Sequence, residues 1–256
     1  MTAPGGDDDL GLACRAARTG GLEALRHFGR TLRIDLKGAA SDPVSDADRA
    51  AEEAVVALLA AERPADGVVA EEGSARSGER VWVVDPLDGT LNFLNGIPQF
   101  CCQVALSDAD GVLVSAIHWP CEDRLYWAAR GEGAWRDGER LAVPDRSLDA
   151  STIWMWLDVS RMRDEEVAAG VAAIGREAAA ILQPGSGGQG LAMTAAGQVG
   201  GWALAHCEDW DWLPGKLLVE EAGGATAETA LWRLAGSAAT VAALERLVGY
   251  SSVSPE

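Results

Sequence analysis

Apolar residues return at helical spacing in two early stretches. Over residues 7–29, Leu10, Leu12, Leu22, Leu25 and Phe28 mark one side of a helix whose middle Gly20-Gly21 weakens. Over residues 45–61, Val55, Val56, Leu58 and Leu59 supply core contacts, and Ser45, Asp46 and Asp48 mark the helix start. Short apolar runs at residues 68–70 and 81–84 read as strands. Segments 101–106, 112–119 and 124–129 are strand-like and are punctuated by Asp110-Gly111, Gly131 and Gly133, which predicts an antiparallel sheet. Beyond them the pattern predicts a strand over 151–157, a helix over 163–174, a strand over 178–182 and a Gly-rich turn at 185–188. A helix to about Gln198, a strand over 202–205 and a helix over 212–222 follow, the last stopped by Gly223-Gly224. That order predicts a layered α+β or α/β sandwich.

Composition narrows the function classes. The chain has 256 residues, enough for one large domain or two intimately packed ones, and a formal net charge of -18 with a pI near 4.5. A surface this acidic opposes binding to nucleic acid polymers and to anionic membranes, and no apolar run reaches membrane-spanning length. Phosphate substrates remain open to it if metal ions reverse the field inside a site. Residues 1–9 lack the basic start and apolar stretch of a signal peptide, so the expected location is cytoplasmic. The five Cys are odd in number and form no CxxC, which points to neither a disulfide framework nor a zinc site. Cys101 and Cys102 lie in an apolar run as core residues, and His27, His118 and His206 are expected in structural roles.

Candidate chemistry concentrates at residues 82–93. An apolar strand ends in Asp85-Pro86-Leu87-Asp88-Gly89-Thr90, where Pro86 is expected to turn the chain so that both Asp side chains converge. Converging carboxylates repel, and hard divalent ions with oxygen ligands are the natural remedy. Gly89-Thr90 then opens a helix-like turn whose N–H groups suit a phosphate. Asp-Pro and Asp-Gly are also plain turn formers, so the strand before and the Thr-x-Asn-Phe after carry the specificity. Glu71-Glu72 leaves the strand at 68–70, a place equally suited to a solvated loop. Asp211 sits at a helix start, with Pro214 in the expected first turn, where an Asp is equally an ordinary cap.

The segment DPLDGTLNF at Asp85 to Phe93 resembles the first signature of the inositol monophosphatase family, and WDWLPGKLLVEEAGG at Trp210 to Gly224 resembles its second. Glu71-Glu72, Asp42-x-Val44-Ser45-x-x-Asp48, Lys37 and Gly185-Ser186 fall in family order, so the resemblance spans roughly residues 7 to 250. It implies a single domain over 1–256 with a layered αβαβα sandwich fold, an N-terminal α+β half of about 7–145 and a C-terminal α/β half of about 146–250. It implies metal binding by Glu71, Asp85, Asp88, Asp211 and the Leu87 carbonyl, with two or three Mg²⁺ per site. Thr90, with Glu71 or Asp48, resembles the group that orients the attacking water. Gly89 and Thr90, with Asp88, Asp211, Gly185 and Ser186, would border the phosphate and substrate. The implied protein is a lithium-sensitive, cytoplasmic homodimer acting on a small phosphorylated metabolite. Since no Cys, His or Ser is placed in the motifs as a nucleophile, direct in-line attack by metal-activated water without a phosphoenzyme is expected.

The chain departs from the family at several positions. Ala70 replaces a Gly before the Glu pair, Asn95 a frequent His, Pro214-Gly215 an Ala-Gly pair and Gly200 a frequent Asp. Leu204 stands where inositol phosphatases resemble one another in carrying a Glu that grips ring hydroxyls, which puts inositol 1-phosphate in doubt as substrate. His206, Glu208 and Asp209 either read another polar group or line a solvated loop, and Trp212 either packs in the core or stacks on a base or sugar. Cyclitol, sugar, histidinol and nucleoside phosphates all remain open. The rival readings are a nucleotide 3′-phosphatase of the same superfamily and a non-catalytic phosphometabolite-binding relative; a purely structural acidic dimer leaves the motif spacing unexplained.

Overall fold

The computed structural model describes residues 6–36, 43–157 and 159–249; Lys37 and Asp42 lie outside the described residues. In chain order the elements are α1 (Asp9–His27), β1 (Ile34–Leu36), β2 (Pro43–Ser45), α2 (Asp46–Glu62), β3 (Gly67–Ala70), β4 (Ala75–Arg76), β5 (Val81–Asp88) and α3 (Thr90–Leu94). Strands β6 (Cys101–Asp108), β7 (Gly111–Trp119), β8 (Arg124–Ala129), β9 (Gly133–Arg136) and β10 (Glu139–Arg140) follow. The second half contains β11 (Thr152–Met155), α4 (Val159–Met162), α5 (Glu165–Glu177), β12 (Ala180–Leu182), α6 (Gly187–Ala195) and β13 (Gly201–Ala205). It ends with α7 (Asp209–Glu221), β14 (Ala225–Glu228), β15 (Trp232–Gly236) and α8 (Ala238–Gly249).

Two sheets organise these elements into five layers. An eight-stranded sheet runs β10-β9-β8-β7-β6-β5-β3-β4, antiparallel except for the β3–β5 pair. A five-stranded sheet runs β12-β11-β13-β15-β14, with its first three strands parallel. Helices α1 and α2 cover the outer face of the larger sheet, α5 and α8 cover the outer face of the smaller one, and α6 and α7 lie between the two. This is the αβαβα sandwich. The middle layer holds Ile117, Tyr126, Leu191, Leu218 and three stacked indoles, Trp154, Trp202 and Trp212, with centroids 5.7 and 5.4 Å apart.

The Gly20-Gly21 pair does not weaken α1 but fixes its distance from the sheet. A Cβ at Gly20 would lie 2.5 Å from the Cys102 sulfur, and one at Gly21 2.5 Å from His118 Nδ1. The buried side of α1 is therefore Leu12, Ala13, Ala16, Ala17, Gly20, Gly21 and Ala24, while Leu22 is 48% exposed. Helix α2 begins as its sequence requires. Ser45 caps it, and Asp48 reaches back to the Ser45 backbone N–H at 2.8 Å, a capping box that leaves the other Asp48 oxygen to Thr90 at the start of α3. Pro214 stands inside α7 rather than in its first turn, because the helix starts at Asp209 with Glu208 as its cap.

Candidate metal and phosphate site

Strand β5 does not turn at Pro86. It continues to Asp88 through an irregularity: Asp85 pairs with Gln103 and Asp88 with Cys101, so β5 spends one residue more than β6 between these pairs. Side chains alternate along a strand, and residues three apart would face opposite ways; one inserted residue restores the parity. Pro86 tolerates this place because it has no N–H to contribute to the ladder. The bulge therefore turns Asp85 and Asp88 to the same side. Gly89 next takes a φ of +96°, and a Cβ there would meet the Gln99 carbonyl at 2.9 Å, so only glycine fits where the chain enters α3.

Asp211, on the first turn of α7, joins the two β5 carboxylates. One oxygen each of Asp85, Asp88 and Asp211 lies within 4.8 Å of the others. Glu71 leaves the end of β3, its N–H held by the Val84 carbonyl at 3.1 Å, and faces the same cleft as Asp88, Thr90 and Asp211. Burial drives the Asp85 and Asp211 carboxyls well above their ordinary range, reinforced at Asp85 by Glu71, Asp88 and Asp211 and at Asp211 by Glu71 and Asp88. Arg161 partly relieves Asp211. Burial also raises Asp88, opposed by four donors: Ser186 Oγ at 2.5 Å, the Gly188 N–H at 2.6 Å, the Gly187 N–H at 3.1 Å and the Cys101 thiol at 3.5 Å. Asp88 thus sits on the N-terminus of α6, where an anion is favoured. Asp85 accepts from the Leu87 N–H at 3.1 Å and from Gln103 Nε2 at 3.0 Å.

These groups fit a hard cation. The converging carboxylates supply oxygen donors, and the thiol beside them is held well above its ordinary pKa by burial and by Asp88, so it offers no thiolate to a soft metal. The Leu87 carbonyl accepts from Thr90 Oγ1 at 3.1 Å, and the same hydroxyl lies 3.0 Å from Asp48 Oδ1. Asp48 is buried, its carboxyl raised by desolvation and held back by the Ser45 and Thr90 hydrogen bonds.

The cleft has a volume of about 800 Å³, and Gly89, Thr90 and Gly185 border it beside the carboxylates. Ser186 does not: it is fully buried, caps α6 and donates to Asp88 from behind. On the far side the walls are Trp154, Trp156 and Trp210, with Leu204, His206, Glu208 and Arg161 between them. Arg161 is held against the end of β13, donating to the Ala205 carbonyl at 3.1 Å. His206 pairs with Asp164 at 3.3 Å. Asp209 instead pairs with Arg233 at 2.7 Å, and Trp212 is fully buried, stacked on Trp202 and bonded through Nε1 to Glu228, so it is closed to any substrate. Gln103, Cys101, Gly187 and Gly188 touch the ligands yet carry no sequence signal, since only the strand register and the α6 start bring them there. The alternate positions Trp154 and Trp156 were such a signal for one aromatic face.

A family model described as "Inositol monophosphatase family" matches residues 7–245. An inositol-1-monophosphatase of Mesorhizobium japonicum is 34% identical over 235 residues, covering 84% of this chain and 83% of that protein. A protein of Xylella fastidiosa named Nus factor SuhB is 33% identical over 221 residues, covering 84% and 80%. The crystal structure of the extragenic suppressor protein suhB from Bartonella henselae superposes with a TM-score of 0.87 at 31% identity, covering 93% of this chain and 96% of that one.

Proposed function

The chain belongs to the inositol monophosphatase family and is a phosphoric monoester hydrolase; from that premise we propose that it releases phosphate from a small alcohol with the help of magnesium ions. Glu71, Asp85, Asp88, Asp211 and the Leu87 carbonyl would hold two or three of them. Bound there, magnesium neutralises the phosphate dianion, lowers the pKa of its water and stabilises the leaving oxygen. The observation that carries this reading is the meeting of Asp85, Asp88 and Asp211 within 4.8 Å beside a Thr90–Asp48 pair at 3.0 Å.

The chain's own groups divide the work. Thr90 Oγ1 accepts the proton of the attacking water and passes its own to Asp48 Oδ1, whose raised affinity for protons suits it as the receiver. Glu71 faces the same water from the end of β3. The N–H groups of Gly89 and Thr90, at the start of α3, donate to phosphate oxygens. Ser186 and the Gly187 and Gly188 N–H groups donate to Asp88 and favour its anionic form against the burial that raises its pKa.

At position 204 the alcohol side offers no acidic group to hold a polyol. Leu204 is 4% exposed and lines the cleft between indoles, so ring hydroxyls meet no acceptor there. An alcohol with a flat or apolar face, a nucleoside among them, packs better against Trp156 and Trp210 than inositol does. Lithium inhibition, a homodimer and a cytoplasmic location complete the proposal; among the described residues no helix is long and apolar enough to cross a membrane. The net charge of -18 weighs against a nucleic acid polymer as partner. A phosphate-release screen over cyclitol, sugar, histidinol and nucleotide monophosphates tests all of this. Turnover is expected with magnesium and none with excess chelator; turnover that survives chelation removes the metal reading.

A further inference from the structure

We infer that Gln103 is a positioning residue that fixes Asp85 for the metal, and that Gly188 is glycine to make room for it. The inference rests on the carboxylate cluster's holding divalent ions. Gln103 lies on β6 directly opposite Asp85 and is fully buried. Its Nε2 donates to Asp85 Oδ2 at 3.0 Å, while the Leu87 N–H donates to Oδ1 at 3.1 Å. Each oxygen of Asp85 is thus held by one neutral donor, which leaves its remaining lone pairs in a fixed direction. A carboxylate only accepts, so the amide must turn its NH₂ to Asp85 and its oxygen away. That oxygen, Oε1, is buried without a partner among the described residues.

An orphaned buried carbonyl destabilises a fold, and an apolar side chain of the same size would avoid it. Stability alone therefore gives no reason for an amide here; the donor to Asp85 does. Gly188 supplies the second half of the argument. A Cβ there would lie 2.5 Å from Gln103 Oε1 and 2.8 Å from the amide carbon. Gly188 is absent from the positive-φ glycines, so its backbone does not require glycine, and in the first turns of a helix alanine is the more stabilising residue. The same Gly188 donates its N–H to Asp88 at 2.6 Å. The amide braces one ligand, and the glycine that yields space to it braces the next.

Calorimetric titration of the purified protein with Mg²⁺ tests this without a substrate. Partners of metal ligands typically contribute about 10- to 100-fold in affinity. Gln103→Leu and, as a smaller replacement, Gln103→Ser are each expected to weaken Mg²⁺ binding about tenfold or more, with the melting temperature in chelator unchanged or raised in Gln103→Leu and lowered in Gln103→Ser by the cavity it leaves. Gly188→Ala is expected to weaken binding on its own, because its methyl displaces the amide, and to add no further loss in the Gln103→Ser background. Affinity within about twofold of the wild type in both Gln103 variants would overturn the inference, as would an equal Gly188→Ala loss in both backgrounds. No binding heat in the wild type would instead remove the metal reading beneath it.

Discussion

Ser186→Ala separates the substrate contact expected from the sequence from the bond to Asp88 seen in the structure. The serine hydroxyl donates to Asp88 at 2.5 Å and accepts from the Gln189 N–H at 3.4 Å. A hydrogen bond to a charged acceptor contributes about 1.5–3 kcal/mol. The capping bond is long, so it belongs at the low end of its range, about 0.5 kcal/mol. The first quantity falls on the carboxylate proposed to bind metal, the second on α6. At about 1.4 kcal/mol per factor of ten, the magnesium dependence of activity should shift by roughly 10- to 100-fold. The melting temperature in chelator should fall by only about 1–2 °C, the capping loss taken at about 2–4 °C per kcal/mol for a chain of this size. Steady-state kinetics over a matrix of magnesium and substrate concentrations reads both. At saturating magnesium, KM for the substrate should match the wild type, since Ser186 is closed off from the cleft. A KM raised tenfold with an unchanged magnesium dependence would refute the reasoning and return Ser186 to the substrate.

Three further outcomes follow from the geometry. Asp85 has a folded-state pKa raised above its unfolded value of about 3.9, so the folded chain holds the extra proton and metal-free stability falls as pH climbs from there through the raised value. Asp85→Asn should therefore melt higher than the wild type in chelator, by a margin that widens as pH rises above about 4; a constant margin would show that burial and the neighbouring carboxylates do not raise Asp85. Trp212→Ala should cost about 3–5 kcal/mol of stability in a denaturant titration and lower activity on every substrate alike, whereas Trp156→Ala should reorder the substrates; loss confined to one substrate class in Trp212→Ala would contradict its burial. Leu204→Glu should raise kcat/KM for inositol 1-phosphate relative to glycerol 2-phosphate by about tenfold or more, and an unchanged ratio would mean that ring hydroxyls never reach this position.

Much of the candidate site was legible because most of its proposed ligands sit in two short strings. Asp85-Pro86-Leu87-Asp88-Gly89-Thr90 and Trp210-Asp211-Trp212 carry the donors, and the apolar strand before the first string placed them at a sheet end. The antiparallel run over β6, β7 and β8 was readable for the same reason: turn residues mark its borders. The mode of convergence was not. A bulge is defined by what the partner strand does, and nothing in the β5 sequence alone says that Asp85 faces Gln103. Gly20-Gly21 was misleading because intrinsic propensity weighs a glycine alone, whereas Cys102 and His118 decide its use here. Leu22 likewise matched a helical pattern that the close approach of the sheet overrides. Ser186 lay in a Gly-rich stretch that reads as an open turn but is the buried cap of α6. Trp212, next to a metal carboxylate in sequence, points into the middle layer instead. Strands β14 and β15 and helix α8 carried no pattern distinct enough to place them.

The distance along the chain between Asp85 and Asp211 has a consequence for how this protein comes into being. The first lies on the larger sheet and the second on a helix pressed between both sheets, so a nascent chain that stops before Asp211 lacks one of the proposed ligands. Tight ion capture by the proposed site would then arrive late in refolding, after the slow closure of long-range contacts. A luminescent lanthanide added during renaturation would light up only in molecules that had finished, and would act as a proofreader of assembly before it acted as anything else.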